Sequence, residues 1–321
     1  MIGKTISHYQ IVETLGSGGM SVVYKAQDMR LGRFVALKFL LERLCRRREA
    51  VEQFRQEART ASAFNHPAIC TIHDIDQHRD RPFIVMEYLE GETLRDKMRK
   101  RRLTVEEALT IGIQVAGALG QAHATGIVHR DISLANLFVT LDGRVKLLDF
   151  GIAQLTSKGS RAAAQVTKSR KRIVTGTVHY MSPEQALGQQ VDARSDIFSV
   201  GVVLYEMLTS RRPFGGDSLP AILAEIKRAA PKPLDRVSPN LPALLHDVVK
   251  RCLMKSPEHR YPNAAELRDD LESAAVGLSL DRKTQMNSSS VSRFNESECR
   301  ALSAETLPDW KDTTTEILMD S

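Results

Sequence analysis

Cysteine, tryptophan and long apolar stretches are scarce in this chain of 321 residues, which has one tryptophan and four cysteines. The cysteines are widely spaced and form no C-x-x-C pair: Cys45, Cys70, Cys252 and Cys299. The sequence therefore predicts neither a disulfide framework nor a zinc site. The longest apolar run, 198–208, covers about half of the length that a bilayer requires. Residues 1–10 lack the apolar core of a signal peptide, so we expect a cytoplasmic protein without a membrane segment.

Charge of one sign is only slightly in excess, because 45 Lys and Arg residues against 39 Asp and Glu residues leave a net charge of +6. Hydrophobic residues make up 42% of the chain, as in ordinary globular proteins, which excludes a wholly disordered chain. The basic runs at 46–48 and 99–102 are interpreted as solvated helix ends. A mild positive charge suits partners that carry phosphate or carboxylate groups, but we expect no nucleic-acid binding.

The pattern of apolar residues changes near residue 90. Before it, short segments rich in Val, Ile, Tyr and Phe predict strands, and one amphipathic segment predicts a helix. The predicted strands are 9–15, 21–27, 33–39, 69–75 and 83–88, and the helix is 47–64. Beyond residue 90, helices are predicted from Thr104, which opens a capping box with Glu107, and at 195–208, 218–228, 241–254 and 264–271. This order predicts an α+β protein with a β-rich lobe at 9–89 and a larger α-helical lobe at 90–275.

The last segment, 276–321, differs in composition from the rest. It contains a run of three serines, few large apolar residues, and five basic against eight acidic residues. Such a segment cannot bury enough apolar surface to fold alone. We therefore expect a mostly disordered tail, in which Trp310 is the candidate for a docking segment.

A glycine-rich segment, L-G-S-G-G-M-S-V-V, occupies residues 15–23 between two predicted strands. Glycine lets backbone N–H groups approach phosphate oxygens closely, because no side chain intervenes. The segment is not a Walker A loop, since no Gly-Lys-Ser/Thr follows, and it is not a dinucleotide-binding turn, since a strand follows in place of a helix. Taken alone, it fits a hairpin turn equally well.

Lys38 lies in an otherwise apolar segment, V-A-L-K at 35–38. A buried lysine is costly unless it is paired, and the alternative is a lysine on the solvent face of an edge strand. The next predicted helix offers Glu57, which shares a face with Phe54 and Ala61. We therefore expect an ion pair between Lys38 and Glu57.

Two further motifs follow, H-R-D-I-S-L-A-N at 129–136 and L-D-F-G at 148–151. They supply a candidate base, Asp131, and two candidate oxygen ligands, Asn136 and Asp149, on either side of a short predicted β-hairpin. Oxygen ligands suit Mg²⁺ beside nucleotide phosphates. An H-x-D tripeptide alone is common in loops, but its position in a series of motifs argues against that interpretation.

Taken in order, these motifs resemble those of protein kinases of the Ser/Thr type, and the resemblance covers about residues 9–275. The residues in several of these segments are similar to those of bacterial kinases related to eukaryotic ones. Further matching segments and residues are 16–21, 65–69, 180–186, Asp196 and Arg260. The resemblance implies a bilobal kinase fold, with one regulatory helix in the N-lobe. It also implies transfer of the ATP γ-phosphate to Ser or Thr hydroxyls of protein substrates.

The resemblance implies roles for individual residues as well. Lys38 would be catalytic by binding the α- and β-phosphates, and Asp131 would orient the acceptor hydroxyl and take its proton. Asn136, also catalytic, would hold Mg²⁺ together with Asp149. The residues that would bind ATP are Leu15, Gly16, Ser17, Gly18, Gly19, Met20, Ser21, Val22, Val23, Ala36, Lys38, Glu57, Met86, Glu87, Leu89 and Leu137.

Within this set, Met86 would be the gatekeeper, and the backbone of Glu87 and Leu89 would meet adenine. Three matching residues would be structural. Glu184 would pair with Arg260, and Asp196 would brace the loop around His129. The side chains of His129 and Phe150 would pack between the lobes.

Two residues depart from the kinase pattern. Ser21 replaces the third glycine of the loop, a mild change. Ser133 stands two residues after Asp131, where Ser/Thr kinases carry a lysine that contacts the transferring phosphate, and Ala135 stands where tyrosine kinases carry an arginine. An active Ser/Thr kinase is the leading hypothesis. Alternatives are a pseudokinase or nucleotide-binding scaffold with weak or no catalysis, and a small-molecule phosphotransferase, which the S-P-E segment at 182–184 disfavours.

The segment 152–181 mixes hydroxyl residues with Lys and Arg. Such clusters receive phosphate groups, and Arg130 beside Asp131 resembles kinases that are switched by phosphorylation of this segment. We expect autophosphorylation on Thr175 or on a hydroxyl between residues 156 and 169, in trans if the chain self-associates. Thr177 matches the position that favours Ser/Thr acceptors.

Overall fold

The computed structural model describes residues 1–62, 66–149, 177–239 and 241–279, and the chain divides into two units, 1–275 and 276–321. The helices, strands and contacts below belong to the first unit. The tail with Trp310 lies outside the described residues except for 276–279, and so does the segment 150–176 with Phe150 and Thr175. The expectations placed on those segments stay predictions.

An antiparallel sheet with the strand order β1-β2-β3-β4-β6-β5 forms the amino-terminal lobe. Its strands are β1 (Thr5–Ile6), β2 (Tyr9–Ser17), β3 (Ser21–Asp28), β4 (Arg33–Leu40), β5 (Ile72–His78) and β6 (Arg81–Glu87). β4 is buried on both faces over residues 35–40, because it lies in the middle of the sheet. The register pairs Lys38 with Val23 on one side and Ile84 on the other, which places the lysine inside the sheet.

The two faces of this sheet are covered differently. One face carries an apolar core of Ile6, Tyr9, Ile11, Val22, Ala26, Val35, Leu37, Phe39, Phe83 and Val85. The other face receives helices α1 (Glu42–Cys45) and α2 (Arg48–Ser62). Phe54 and Ala58 of α2 lie in one cluster with Leu40 and Ile84. Because alternate strand residues point the same way, Lys38 faces α2 together with Leu40.

The edge strand β5 begins three residues later than the sequence pattern predicts. The expected strand was 69–75, whereas β5 spans Ile72–His78 and pairs with β6. Ile69 lies outside that ladder, in an isolated parallel bridge with Leu147. Because β5 is at the sheet edge, its polar residues can face solvent while the backbone stays paired, so the apolar spacing misplaced the strand.

Helices dominate the second lobe, in which α6 (Ala193–Thr209) packs against α4 and α9. The other helices are α3 (Leu94–Lys100), α4 (Val105–Ala124), α5 (Pro183–Leu187), α7 (Leu219–Arg228), α8 (Leu234–Val237), α9 (Ala243–Cys252) and α10, whose part in the first unit is 264–275. The predicted capping box of Thr104 and Glu107 opens α4. A Cβ at Gly201 of α6 would lie 2.6 Å from the Cβ of Cys252, so glycine permits this close approach of α6 and α9.

A small sheet of β7 (Gly91–Thr93), β8 (Leu137–Thr140) and β9 (Val145–Leu147) joins the lobes. Gly91 has φ +146°, and a Cβ there would lie 2.2 Å from the carbonyl oxygen of Val139, so the site requires glycine. The β8–β9 hairpin brings Asn136 and Asp149 to its open end. The N–H of Leu148 donates to the carbonyl oxygen of Asn136 at 2.8 Å.

The α+β fold with a β-rich lobe and a larger helical lobe confirms the expected architecture. In the described part of the amino-terminal lobe, α2 is the one long helix. Within the described ranges, no helix is both long enough and apolar enough to cross a membrane.

Candidate active site

The glycine-rich segment forms the turn between β2 and β3. The N–H of Gly18 donates to the carbonyl oxygen of Ser21 at 2.8 Å and narrows the turn. From α1, the Nη2 of Arg43 donates to the carbonyl oxygen of Gly19 at 2.8 Å. The tip of the loop is therefore held from the side of α1, a contact that no sequence pattern predicts.

Glycine at positions 16, 18 and 19 is not explained by the fold itself. A Cβ on Gly16 or Gly19 would meet nothing within 4 Å, and on Gly18 it would reach the Ser21 carbonyl oxygen at 4.0 Å. In this described segment, none of the three has a left-handed backbone. Open space above a glycine turn is what the close approach of a phosphate requires. The geometry therefore favours the phosphate-binding hypothesis over a plain hairpin turn.

Lys38 is 8% exposed, and its Nζ lies 2.5 Å from the Oδ1 of Asp149. Among the described residues this is the ion pair that Lys38 forms, so the expected pair with Glu57 is not present in this arrangement. Burial alone would lower the pKa of Lys38, but the charges of Asp149 and Glu57 outweigh it and raise the pKa. The lysine is therefore a charged anion-binding group at neutral pH.

Glu57 lies on the α2 face that the sequence predicts, close enough to Lys38 for the two charges to interact. Burial raises the pKa of Glu57 to about 7, against the opposing charge of Lys38. Asp149, with a side chain that is 44% exposed, keeps its solvation more fully. An ion pair with the better solvated carboxylate costs less desolvation, which explains why Asp149 is the partner.

Asp131 and Asn136 form one hydrogen-bonded unit. The Nδ2 of Asn136 donates to the Oδ2 of Asp131 at 2.8 Å and to its backbone oxygen at 2.7 Å. This leaves the Oδ1 of Asn136 as the amide atom able to bind a cation. Burial raises the pKa of Asp131 to about 7, although the Asn136 hydrogen bond opposes the shift. A carboxylate that titrates near neutral pH is suited to accept a proton from a hydroxyl.

A fully buried carboxylate, Asp196 of α6, fixes the backbone before this unit. Its Oδ1 accepts the N–H of Arg130 at 2.7 Å, and its Oδ2 accepts the N–H of His129 at 2.8 Å. The Nε2 of His123 lies 2.8 Å from the same Oδ2. Arg130 has φ +67°, an unfavourable backbone for arginine, which these bonds help to hold. Asp196 therefore braces the loop around His129 as expected.

His129 is fully buried and links the segment of Asp131 to the segment that leads to Asp149. Its Nδ1 accepts the N–H of Asp131 at 3.3 Å, and its Nε2 lies 3.0 Å from the carbonyl oxygen of Leu148. These partners assign the ring proton to Nε2 in a neutral imidazole. Burial lowers the pKa of His129, which agrees with that assignment.

A buried ion pair joins Glu184 to Arg260 as the sequence predicts. Two nearly parallel hydrogen bonds, at 2.8 and 2.9 Å, join the guanidinium to the carboxylate. The remaining N–H groups of Arg260 donate to the backbone oxygens of Arg194, Met254 and Lys255. All five guanidinium donors are satisfied, which is the condition for burying such a charge.

The residues expected to meet adenine lie at the end of β6 and just after it. Met86 pairs with Ala36 in the β4–β6 ladder. The Oε1 of Glu87 accepts the N–H of Thr71 at 2.7 Å and the Nζ of Lys146 at 2.5 Å. Lys146 lies on β9 and was not singled out by the sequence, since a lone strand lysine is usually solvated. This network ties the end of β6 to the strand that leads to Asp149.

The two departures from the kinase pattern occupy different settings. Ser21 opens β3 beside the glycine turn. Ser133 is fully buried, and its Oγ has no hydrogen-bond partner in the described part of the chain. The hydroxyl therefore neither replaces the charge of a lysine nor anchors the loop.

The other residues expected to bind ATP spread over three environments. Ala36, Val22 and Leu137 are buried, and Val23, Met86 and Leu89 are half-buried. The residues of the loop that face solvent are Leu15, Gly16, Ser17, Gly18 and Gly19, while Met20 is half-buried. The loop thus lies open above a buried floor.

Cys70 lies close enough to Lys38 for the two groups to interact. It is 6% exposed, and its N–H donates to the carbonyl oxygen of Leu147 at 2.9 Å. Burial raises the pKa of its thiol to about 12, so it stays protonated at neutral pH. The thiol therefore acts as a small apolar group rather than a nucleophile.

A small β lobe with an open glycine turn, a buried lysine and an Asp–Asn unit on a braced loop define a protein kinase domain. Residues 9–270 match the family described as protein kinase domain, and the chain belongs to this family.

Relatives of the chain include bacterial serine/threonine-protein kinases. PknB of Mycobacterium tuberculosis is 42% identical over 268 residues, which cover 82% of this chain and 42% of the relative. PrkC of Bacillus subtilis is 39% identical over 285 residues, which cover 88% and 43%. The kinase domain of Mycobacterium tuberculosis PknI is 28% identical with a TM-score of 0.66, covering 85% of this chain and 99% of that one. The chain spans about two fifths of the length of the two curated relatives.

Proposed function

We propose that this chain transfers the γ-phosphate of ATP to serine or threonine hydroxyls of protein substrates. The observation that carries the proposal is that two groups with charged residues lie close together. The Asp131–Asn136 unit lies close enough to the Lys38–Asp149 pair for the charges to interact. One group can accept a proton and the other can bind phosphate, which are the two tasks of phosphoryl transfer.

ATP and Mg²⁺, which protein kinases generally use, fit the residues present. The glycine turn offers space for phosphates, and Lys38 offers a buried charge. The Oδ1 of Asn136 and the carboxylate of Asp149 are the oxygen ligands that Mg²⁺ prefers. When bound, the metal would neutralise the charge that develops on the phosphates.

Asp131 is the proposed base in this reaction. Its pKa of about 7 places its titration near working pH, where a general base is most effective. The hydrogen bonds from Asn136 fix the carboxylate, so the acceptor hydroxyl would be oriented rather than merely deprotonated. Lys38 would exchange its partner Asp149 for phosphate oxygens.

The acceptor class rests on the end of the segment 152–181, where Thr177 lies. Thr177 begins a short 3₁₀ helix, Thr177–Tyr180, which leads into α5. This platform and the relatives named above support serine and threonine acceptors over small molecules.

We also propose autophosphorylation on Thr175 or on a hydroxyl between residues 156 and 169, in trans between copies of the chain. In support, the Nε of Arg130 is buried, and in the described part of the chain it has no hydrogen-bond partner. Burial lowers the pKa of Arg130, the mark of a guanidinium short of counter-charge. A phosphate on a neighbouring hydroxyl would supply that charge. Because ATP is its co-substrate, we place the reaction in the cytoplasm.

Radiolabelled ATP with Mg²⁺ and a generic basic protein tests the proposal. The wild type is expected to label both the added protein and itself, and Lys38→Met is expected to label neither. Lys4→Met is the matched control, because Lys4 is exposed and distant from the motifs in sequence. A wild type that binds ATP but labels nothing would favour the pseudokinase hypothesis, for which Ser133 is the motivating residue.

A further inference from the structure

A cleft of about 510 Å³ opens in the carboxy-terminal lobe, lined by residues outside the candidate active site. It lies between the last turn of α6 and the short helix α8. Four exposed cations line it: Arg102, Arg211, Lys232 and Arg236. No Asp or Glu belongs to the described residues that line the cleft. Its walls therefore carry an uncompensated positive charge.

The cations at the cleft differ from their neighbours in how they are paired. In the basic run 99–102, the first three residues form ion pairs with nearby carboxylates. Within the described ranges Arg102, which lines the cleft, has no such partner. Likewise Arg212 pairs with Glu206 at 3.5 Å, whereas its neighbour Arg211, at the cleft, does not. Among the described residues, several cations beside the cleft are thus paired, whereas the four cations that line it form no salt bridge.

The walls of the cleft are fixed by the fold. The hydroxyl of Tyr205 donates to the backbone oxygen of Lys232 at 3.1 Å, which holds the segment before α8 against α6. Thr209 accepts the N–H of Arg211 at 3.1 Å, and Ser210 ends α6 with φ +55°. The carboxyl end of α6 carries about half a negative charge, too little to offset four cations. Four like charges lining one cleft give it a positive potential, which favours binding of an anion.

We propose that this cleft binds a phosphorylated side chain on a segment of a partner protein. Three of the four cations are arginines, whose planar guanidinium matches phosphate with paired hydrogen bonds. The volume is in the range of a site for a small ligand, and Leu103 and Val237 add apolar wall for a flanking residue. A membrane or a nucleic acid would instead need a flat or extended basic face.

Binding at this cleft goes beyond the proposed phosphotransfer. Only one point rests on the proposed phosphotransfer, namely that it would supply the phosphate that the cleft binds. A kinase makes phosphorylated segments, so a partner that has been modified once would be held near the enzyme by this cleft. Effective concentration would then favour a second transfer to the same partner.

Fluorescence anisotropy of a labelled alanine–glycine peptide with one central phosphothreonine tests the site, with the unphosphorylated twin as comparison. Without ATP, the full chain is expected to bind the phosphopeptide at least tenfold more tightly than the twin. Arg211→Gln/Arg236→Gln is expected to lose at least tenfold in affinity. The matched control is Arg46→Gln/Arg47→Gln, which removes the same charge from exposed arginines elsewhere and is expected to bind like the wild type.

Three results would overturn the proposal: no preference for the phosphopeptide, equal weakening by both double variants, or tighter binding of a single-stranded oligonucleotide of similar charge. All substituted residues are exposed, so unchanged melting temperatures are expected and serve as the folding control. Because binding is measured without ATP, failure here leaves the phosphotransfer proposal standing. A chain that binds the phosphopeptide but transfers no phosphate would contradict only the phosphotransfer proposal.

Discussion

The two lobes hold their charged residues in different ways. In the carboxy-terminal lobe, Asp196 and the Glu184–Arg260 pair are buried, and each of these three charged groups takes part in several hydrogen bonds. In the amino-terminal lobe, Lys38 pairs with a half-exposed carboxylate of the other lobe, and Glu57 lies nearby without an ion pair in the described residues.

This difference separates a rigid frame, formed by Asp196 and the Glu184–Arg260 pair, from an exchangeable site at Lys38. A buried charge whose partners are all in place cannot change them without leaving a charge unpaired, at a cost of several kcal/mol. Lys38 can exchange one anion for another, since a phosphate would replace the carboxylate that it gives up. Binding and release of a nucleotide require that freedom, whereas orientation of the acceptor hydroxyl requires the frame.

The largest expected effect comes from removing the base that the frame positions. Asp131→Asn should lower kcat by several orders of magnitude, because the acceptor hydroxyl loses its orienting proton acceptor. Single-turnover labelling measures the loss, and nucleotide binding should stay within a few fold of wild type. Near-normal turnover by this variant would show that another residue is the base.

Breaking the frame itself should cost stability. Arg260→Met leaves the Glu184 carboxylate buried without its partner, and we expect a loss of about 3–5 kcal/mol in the free energy of unfolding. Urea denaturation measures it. Arg268→Met is the matched control, because its pair with Asp269 is exposed and should cost less than about 1 kcal/mol. Equal losses in both variants would contradict the distinction between frame and surface.

Variants at Ser133 test whether the loop that holds Asp131 lacks a positive charge near the γ-phosphate. Ser133→Lys should raise kcat by about tenfold to a hundredfold with a smaller change in the KM for ATP, since a cation near the γ-phosphate stabilises transfer. Ser133→Ala should leave kcat unchanged, because the buried hydroxyl has no partner among the described residues. If the lysine variant gains nothing, another residue already supplies the charge.

The smallest expected effect is the dependence of kcat/KM on pH. Asp131 must be deprotonated to act, so kcat/KM should rise with pH through about 7 and be about tenfold lower at pH 6 than at its plateau. A flat profile between pH 6 and 8 would exclude Asp131 as the titrating base.

The stability of the fold should move in the opposite direction. Since the folded-state pKa of Glu57 is raised to about 7, the folded chain holds that proton longer than the unfolded chain. Its contribution is then complete below the ordinary pKa and is lost as pH rises through about 7. The difference in unfolding free energy between wild type and Glu57→Gln should therefore fall from pH 5 to pH 8.

The sequence predicted the elements whose spacing is repetitive. The helix α2 and strands β2 to β4 lie within two residues of their expected bounds, because apolar residues recur there at the helix or strand period. The short helices α3 and α5 were not predicted, since helices of five to seven residues carry too few turns to show a period.

The site was predicted in its residues but not in its pairing. Motif order placed Lys38, Glu57, Asp131 and Asp149 around one site, yet the lysine pairs with Asp149 in place of Glu57. That choice depends on how much water each carboxylate keeps, which no spacing records. Contacts of Lys146 and Arg43 were missed for a similar reason, because each is a single basic residue in an ordinary context.

The alkylation rate of Cys70 measures how often the structure opens beside Lys38. A thiol that is 6% exposed with a pKa of about 12 hardly reacts with alkylating reagents while the lobe is folded. Its modification must therefore wait for a local opening beside Lys38, and the alkylation rate counts those openings. A nucleotide that draws the glycine turn down onto its floor would slow that rate, so mass measurement of one cysteine reports occupancy of the site without any phosphoryl transfer.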